Sequence, residues 1–268
     1  MKYLLFTMFY LCSLSVSADV EQFVRYQSHH EIKYGQLIGQ SIFPIEGELF
    51  SDFTVAEEKL NLSEVELLIP TVPEKVFAVG MNFASHLSSP VDAAPPLFLK
   101  LPSSLIVSGK TVNAPRDAKN LHFEGELVLV IGKEAKNISE AEAEDVIFGV
   151  TVGNDLTERS WQGRDLQWMR SKASDGFGPI AATITRGIDY NNVLLTTRLN
   201  GKVVQQENTR FMIHSTRKVV SYLSQYFTLK PGDLIFMGTP GRTQALKDKD
   251  VVSVAIDGVG KVENTISW

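Results

Sequence analysis

The sequence predicts an α+β protein whose core is a mostly antiparallel β-sandwich or rolled sheet with few helices. Three observations favour this fold class. Short runs of apolar and β-branched residues recur from Lys75 onward, and turn residues separate them. Few segments show the apolar spacing that is typical of helices. The chain has 268 residues, of which 44% are hydrophobic, so it can bury a sizeable core.

The first 18 residues are typical of a secretory signal peptide. Lys2 is their only charge, and residues 3–16 are mostly apolar. Val16 and Ala18 supply the small residues that precede a cleavage site before Asp19. A membrane anchor is the competing interpretation, but this apolar run is short for a membrane span. We therefore expect an exported protein, periplasmic or secreted, with no stable membrane anchor after processing.

Residues 19–72 are predicted to form a small N-terminal β-rich module that ends near Pro73. Within it, residues 36–42 are expected to pair with residues 50–55 across a turn at residues 44–47. The second predicted domain covers residues 73–268. Its predicted strands, in chain order, are residues 76–80, 103–108, 122–131, 147–153, 180–184, 194–200, 202–204, 234–237, 251–256 and 260–266.

Helical composition is confined to residues 139–146, 157–168 and 214–226. Ser139 and Glu142 have the spacing of a capping box at the start of the first of these helices. The dipeptide at residues 200–201, Asn-Gly, predicts a tight hairpin turn between two strands.

Composition excludes several classes of function. The formal net charge is −5 and no basic cluster stands out, so we expect no nucleic-acid partner. Cys12 is the only cysteine and leaves with the signal peptide. The mature chain is therefore expected to contain no disulfide, no thiolate metal site and no cysteine nucleophile.

An acidic pattern marks the candidate site. Glu124 and Glu126 lie with His122 in a predicted strand, where alternate side chains share one face. Asp155 follows Glu126 by 29 residues and lies at the end of another apolar strand. Carboxylates this close repel each other, and a hard divalent cation with oxygen ligands would relieve the repulsion. For the E-x-E pattern alone, the alternative is a strand with a solvated acidic face.

Several further segments occur in a fixed order: residues 79–83 with His86, then 98–103, 122–133, 153–159, 171–172, 208–209 and 231–240. In these segments the chain resembles the fumarylacetoacetate hydrolase superfamily, especially its smaller members that act on acylpyruvates, oxaloacetate or related 2-oxo acids. The resemblance implies a mixed β-sandwich roll with few helices, usually a homodimer. It also implies one divalent metal, Mg²⁺ first and Mn²⁺ or Ca²⁺ as alternatives. The implied substrate is a small 2-oxo or 2,4-dioxo acid.

The resemblance assigns roles to individual residues. Glu124, Glu126 and Asp155 match the metal-binding carboxylates. His122 matches a position close to the metal, as a supporting residue or weak ligand, and a purely structural histidine is the alternative. Lys172 matches an active-site lysine, which is expected to face oxygen atoms on which negative charge grows.

Three more residues match substrate-binding positions. Arg159 and Gln162 are three residues apart, so they share one face of a predicted helix. Arg159 could equally be a structural ion-pair partner. Thr239 lies in a Gly-Thr-Pro-Gly turn that offers a hydroxyl and backbone N–H groups to a carboxylate, and a plain tight turn is the alternative.

His86 matches the histidine that hydrolytic members use as a general base, normally followed three residues later by glutamate. Here that position is Ser89, and Pro90 interrupts a helix before the next acid, Asp92. Serine accepts a hydrogen bond but cannot stabilise an imidazolium through charge. This departure weakens the expectation of water-dependent C–C cleavage and leaves metal binding and enolisation unaffected.

Three functions are compatible with these residues. The first is a metal-dependent hydrolase that cleaves a C–C bond in acylpyruvate-like 2,4-dioxo acids through a metal-stabilised enolate. The second is an isomerase, tautomerase or decarboxylase of a related 2-oxo acid such as oxaloacetate, which Ser89 favours. The third is an exported binding protein without catalysis, although a lysine beside three carboxylates argues against it.

Overall fold

A computed structural model describes residues 20–86 and 94–268. Its strands in chain order are β1 Glu21–Ser28, β2 Glu31–Ile38, β3 Ser41–Gly47, β4 Phe53–Val55, β5 Leu60–Asn61, β6 Glu66–Leu67, β7 Val76–Val79, β8 Leu97–Lys100, β9 Leu105–Val107, β10 Thr111–Asn113, β11 Leu121–His122, β12 Gly125–Ile131, β13 Ile147–Asn154, β14 Thr157–Glu158, β15 Gly178–Ile180, β16 Thr183–Arg186, β17 Leu194–Leu199, β18 Lys202–Asn208, β19 Leu234–Phe236, β20 Val251–Ile256 and β21 Gly260–Ser267. The α-helices are α1 Arg159–Gln162, α2 Met169–Ala173 and α3 Thr216–Tyr226. Short 3₁₀ turns cover Leu62–Glu64, Ala84–His86, Pro102–Ser104, Ala143–Val146, Leu166–Trp168 and Thr209–Phe211.

The strands form a large mixed sheet, a five-stranded sheet and a two-stranded ribbon. The main path of the large sheet runs β4-β3-β2-β1-β16-β13-β12-β19-β7-β8. Its pairs are antiparallel except where β19 lies parallel to β7. The second sheet has the order β10-β21-β20-β17-β18, and β11 pairs with β14 in the ribbon. This architecture confirms the predicted α+β sandwich roll with few helices.

Strand β12 lies at the centre of the fold and is buried along its whole length. On one face, Leu127 and Leu129 pack with Leu195 and Val254 of the second sheet. On the other face, Val128 packs in a cluster with residues from the N-terminal strands. Because both faces are covered, the strand reads as a continuous apolar run rather than an alternating one. This strand carries Glu126, and Glu124 immediately precedes it, so part of the candidate metal site is built on the buried centre of the fold.

The N-terminal strands extend the large sheet, because β1 pairs with both β2 and β16. The prediction of a turn at residues 44–47 is wrong. Pro44 lies within β3 opposite Gly35 of β2, and the turn between these strands falls at residues 39–40. Gly39 has φ +62°, a left-handed conformation that glycine adopts without strain, which explains why the chain reverses there.

Other local predictions are confirmed or corrected. Asn200 and Gly201 form the predicted hairpin turn with φ of 50° and 79°. Helix α3 covers most of residues 214–226, and the side chain of Ser215 accepts a hydrogen bond from Lys218 N–H at its start. At residues 139–146, Ser139 does bond to Glu142, but only a 3₁₀ turn at Ala143–Val146 follows.

The helix predicted for residues 157–168 is interrupted. The segment begins as strand β14, continues as the short helix α1 and then forms a separate 3₁₀ turn. Gln167 and Trp168 have φ of 58° and 59°, and these left-handed residues prevent a continuous helix. None of the helices in residues 20–86 and 94–268 has the length and apolar character needed to cross a bilayer.

The strand predicted for residues 122–131 is also interrupted. It breaks at residues 123–124, where Glu124 N–H donates to the side chain of Asn154 at 2.8 Å. His122 lies before the break, in the separate ribbon of β11 and β14. The two glutamates and His122 therefore do not share one continuous strand face, because the chain changes direction between them.

Candidate active site

Three carboxylates meet at the ends of β12 and β13. The antiparallel register sets Gly125 opposite Asn154, which brings Glu124 and Glu126 next to Asp155. One oxygen from each carboxylate lies within 4.8 Å of the others, and all three side chains are buried. Asp155 N–H also donates to the Glu124 carbonyl at 2.8 Å, which fixes the two strand ends together. The backbone therefore presents three oxygen ligands to a single point.

Two cations compensate two of these acids. Lys172 Nζ, on α2, lies 2.5 Å from Glu124 Oε2 and also contacts Asp155 Oδ2. Arg159 contacts the other oxygen of Glu124. Burial alone would raise the pKa of Glu124, but the charges of Lys172 and Arg159 lower it to about 2. Glu124 is therefore ionised at every physiological pH.

Glu126 differs from the other two acids. Within the described residues its carboxylate accepts one hydrogen bond, from Gly238 N–H at 2.7 Å, and contacts no cation. Burial, followed by the charges of Asp155 and Glu124, raises its pKa well above the ordinary value. A divalent cation among the three oxygens would restore the ionised form of Glu126, and an all-oxygen ligand set suits Mg²⁺, Mn²⁺ or Ca²⁺. The residues present therefore fit a divalent metal.

The predicted substrate-binding pair lies on the rim of this cluster. Arg159 Nη1 donates to Gln162 Oε1 at 2.8 Å, which agrees with their predicted common helix face. Arg159 also reaches Thr243 Oγ1 at 3.2 Å, and Thr243 bonds to His122 Nδ1 at 2.9 Å. His122 thus contacts the cluster only through Thr243 and Arg159. Burial and the charge of Arg159 lower the pKa of His122, which favours its neutral form.

His86 and Thr239 both line the cleft that contains the carboxylates. His86 Nε2 lies 3.9 Å from Glu124 Oε1, and its Nδ1 lies 2.6 Å from the carbonyl oxygen of Gly241. A carbonyl only accepts hydrogen bonds, so Nδ1 carries the proton of the neutral ring and Nε2 is the basic nitrogen. Ser89, whose identity bears on this histidine, lies outside the described residues.

A single cleft contains most of the predicted site residues. His86, Glu124, Glu126, Asp155, Arg159, Gln162, Lys172 and Thr239 all line it, and His122 does not. Phe98 and Trp168 form an apolar wall of the same cleft, in edge-to-face contact at 5.4 Å. The catalytic and binding roles of these residues stay predictions, and all of these residues line the same cleft.

Two residues of this site were missed from the sequence. Lys100 is fully buried, and its Nζ donates to Asp155 Oδ1 at 2.6 Å, to Phe177 O at 3.0 Å and to the Lys172 carbonyl. The one feature of the sequence that could have identified Lys100 is its position in the 98–103 segment, which carries the family resemblance. Gln205 accepts from Gly125 N–H at 3.3 Å and donates to Thr239 Oγ1 at 2.9 Å. It thereby ties the carboxylate strand to the substrate turn, and no sequence pattern marked it.

Two family models match the chain. The model described as fumarylacetoacetate (FAA) hydrolase C-terminal matches residues 75–267, and the model described as Rv2993c-like, N-terminal matches residues 22–70. The first match covers well over half of the chain and includes every predicted site residue.

Individual relatives agree with these matches. An uncharacterized protein of Archaeoglobus fulgidus is 39% identical over 233 residues, which is 85% of this chain and 91% of the relative. The mitochondrial oxaloacetate tautomerase of Xenopus laevis is 35% identical over 223 residues, which is 77% of this chain and 70% of the relative. The crystal structure of 2-hydroxyhepta-2,4-diene-1,7-dioate isomerase from Mycobacterium marinum is 33% identical with a TM-score of 0.86, over 92% of this chain and 98% of that chain. The chain therefore belongs to the fumarylacetoacetate hydrolase family and is an enzyme of that family.

Proposed function

We propose that this enzyme moves a proton between carbon and oxygen of a 2-oxo dicarboxylic acid of the oxaloacetate type, as a metal-dependent tautomerase or isomerase. The observation that carries the proposal is the position of His86. Its basic Nε2 lies 3.9 Å from Glu124, in the same cleft as three carboxylates suited to a divalent cation. The named relatives, an oxaloacetate tautomerase and a dienedioate isomerase, carry out reactions of this class.

The charge of the site supports a dianionic substrate. With all three acids ionised, their negative charge is balanced by the three cations that contact Glu124 and Asp155, namely Lys100, Lys172 and Arg159. A divalent cation would therefore leave two positive charges in excess. A cleft with excess positive charge and low-dielectric walls attracts anions, and a dicarboxylate would neutralise it.

The residues divide the chemistry among them. Glu124, Glu126 and Asp155 would hold the divalent cation, whose chemistry when bound is Lewis-acid polarisation of the 2-oxo group. Arg159 and Thr239 offer donors that orient the substrate carboxylates. Lys172 stabilises the negative charge that develops on the enolate oxygen.

His86 carries the proton. Its Nε2 removes a proton from the carbon next to the 2-oxo group, and the resulting imidazolium returns this proton to the enolate oxygen, which completes the conversion of keto to enol form. In these two proton transfers no C–C bond breaks and no water is consumed. A neutral imidazole that takes up and returns a proton is sufficient for it.

Hydrolysis of acylpyruvates stays a prediction and is the second candidate. Water attack needs an imidazole that is oriented, and normally charge-stabilised, by an acid. In the described residues the Nδ1 partner of His86 is the backbone carbonyl of Gly241, which orients the ring but brings no charge. This contact favours proton transfer over hydrolysis.

The test is one assay panel on purified protein with Mg²⁺. We expect accelerated keto–enol exchange of oxaloacetate that excess chelator abolishes, with weaker decarboxylation and acylpyruvate cleavage. Loss of a general base costs roughly 10²- to 10⁴-fold in rate, so His86→Asn should lower kcat by about that factor. His29→Asn, in an exposed turn, is the matched control. Full turnover in chelator or in His86→Asn would refute the proposal, and dominant pyruvate release would favour the hydrolase.

We further propose export of the mature chain and a homodimeric state. Residues 1–18, whose sequence supports export, lie outside the described residues. The apolar side chains of Leu99, Leu101 and Met169 are exposed beside β8, the last strand of the main sheet path, and this supports association with a second copy. N-terminal sequencing of the secreted protein and light scattering test these two points.

A further inference from the structure

We propose that Ser85 and Glu207 position His86, through the backbone of Gly241, in place of an acid on the histidine's own segment. This inference rests on the proposed function for its kinetic readout. It concerns two residues that lie outside the cleft and touch neither the carboxylates nor the substrate position. Both would therefore be positioning residues rather than catalytic ones.

The contacts form an unbroken chain. His86 Nδ1–H donates to the Gly241 carbonyl at 2.6 Å, and Gly241 N–H donates to Ser85 Oγ at 3.0 Å. The Ser85 hydroxyl donates in turn to the Glu207 carboxylate. Each donor in this chain has one acceptor, so the directions of all three hydrogen bonds are determined.

The chain of contacts fixes the tautomer of His86. The Gly241 carbonyl holds the proton on Nδ1, which leaves the lone pair of Nε2 facing Glu124 and the cleft. If Gly241 moved away, the neutral ring could carry its proton on either nitrogen. The fraction of molecules with a basic Nε2 in the cleft would then fall.

The turn that carries Gly241 needs such an anchor. Gly238 and Gly241 both have positive φ, at 92° and 62°, so the turn begins and ends with residues of wide conformational freedom. Strand β18 holds it at two places. Gln205 donates to the Pro240 carbonyl at 2.5 Å, and Glu207, two residues further on the same strand face, reaches it through Ser85.

Glu207 contributes charge as well as geometry. Its carboxylate is the negative end of the chain of contacts, and hydrogen bonds to an ionised acceptor are stronger than neutral ones. Ser85 is adjacent to His86 in sequence and lies in the same 3₁₀ turn, Ala84–His86. Glu207 thus restrains the turn that carries the histidine and the turn that orients it. The residue three positions after His86 is a serine rather than an acid. Glu207, from another segment of the chain, would supply the acidic group that restrains His86 instead.

The kinetic test uses Ser85→Ala, Ser85→Thr and Glu207→Gln in the full chain with Mg²⁺. A misplaced general base loses rate rather than affinity, so we expect Ser85→Ala to lower kcat about 10-fold with KM within about twofold of wild type. Ser85→Thr keeps the hydroxyl and should retain most of kcat. Glu207→Gln should fall between them, and Glu134→Gln, which removes a surface partner of Lys230, is the control.

A double-variant experiment tests whether the effect passes through His86. In a His86→Asn background, Ser85→Ala should cause no further fall in the residual rate, because groups that act through one residue are not additive. A second fall of about 10-fold in that background, or unchanged kcat in Ser85→Ala alone, would overturn the proposal.

A spectroscopic test is independent of turnover. Long-range ¹H–¹⁵N spectra of the Mg²⁺-loaded protein report which ring nitrogen of His86 carries the proton, and His86→Asn assigns its signals. We expect Nδ1–H in wild type and a mixture of tautomers in Ser85→Ala. The same mixture in a protein inactive on every 2-oxo acid would refute the proposed function and support the positioning chain. Identical spectra in wild type and Ser85→Ala would refute the positioning chain.

Discussion

Glu126 couples the candidate metal site to pH. Burial and the charges of Asp155 and Glu124 raise its pKa well above the ordinary value, so its carboxyl keeps a proton to higher pH than usual. A cation must displace that proton to bind. We therefore expect affinity for Mg²⁺ or Mn²⁺ to rise as pH increases through the raised pKa, with proton release on binding.

Calorimetry in buffers of different ionisation enthalpy measures this proton release directly. Glu126→Gln should weaken binding and abolish the release, whereas Glu142→Gln, an exposed carboxylate, should change neither. Affinity of the wild type that does not vary with pH would contradict the expectation. The stability of the metal-free protein should show the opposite trend and fall as pH rises. Because the folded-state pKa of Glu126 is raised, its contribution to stability is present at low pH and lost as pH rises through that pKa.

Lys100 is a buried cation whose removal should damage the fold. Burial lowers the pKa of Lys100, and the adjacent charge of Asp155 opposes this effect. Lys100→Met would remove the donor of Asp155 Oδ1 and one donor each from the Lys172 and Phe177 carbonyls. Breaking a buried ion pair costs about 3–5 kcal/mol, so the free energy of unfolding should fall by about that amount in urea titrations.

The matched control for Lys100 is Lys110, which pairs with Glu66 on the surface at 2.8 Å. Exposed pairs contribute about 0–1 kcal/mol, so Lys110→Met should change the free energy of unfolding little. Equal losses in the two variants would mean that the burial of Lys100 has no special importance.

Strand β12 crosses the second sheet so closely at Gly125 that a side chain has no room there. A Cβ at this position would lie 2.2 Å from Thr197 Oγ1 and 2.9 Å from Val254 Cγ1. Gly125 also separates the two glutamates of the cluster. Gly125→Ala must therefore push the sheets apart or displace the carboxylates.

We expect Gly125→Ala to lower the free energy of unfolding by about 1–3 kcal/mol, the range of overpacking in a filled core, and to weaken metal binding. Gly163→Ala is the control, because nothing lies within 4 Å of a Cβ at that position. Thermal denaturation and metal titration of both variants provide the measurement. Wild-type metal affinity in Gly125→Ala would show that the close approach does not hold the ligands.

At the scale of the molecule, the N-terminal strands are part of the main sheet. Phe23 and Ile45 share a buried cluster with Val128 and Ile184 of the catalytic region. Removal of residues 20–72 would expose this apolar surface and the edge of β16. We expect the remaining chain to aggregate or to lose cooperative unfolding, as followed by circular dichroism and size-exclusion chromatography.

The control for this truncation lacks only residues 1–18, which the signal-peptide prediction treats as dispensable for folding. It should unfold cooperatively and bind metal. If residues 73–268 alone unfolded with the same cooperativity, the N-terminal strands would be an independent module rather than a component of the fold.

The sequence by itself determined the features that depend on neighbouring residues. The spacing of Glu124 and Glu126, the position of Asp155 at the end of an apolar strand and the family resemblance together predicted the carboxylate cluster. The Asn200-Gly201 turn and the start of α3 at Ser215 were likewise predictable. The turn and the helix start follow from backbone conformations and hydrogen bonds within a few residues, so local rules reach them. The meeting of Glu126 with Asp155 depends in addition on the pairing of β12 with β13.

Only the tertiary structure decided the contacts between distant segments. Lys100 meets Asp155 across 55 residues of chain, and Gly241 meets His86 across 155. The tertiary structure also places His122 in a separate ribbon from the glutamates and pairs the N-terminal strands with the main sheet. Such contacts depend on the order in which strands pair, and the free energy that selects that order is spread over the whole core rather than encoded in any one motif.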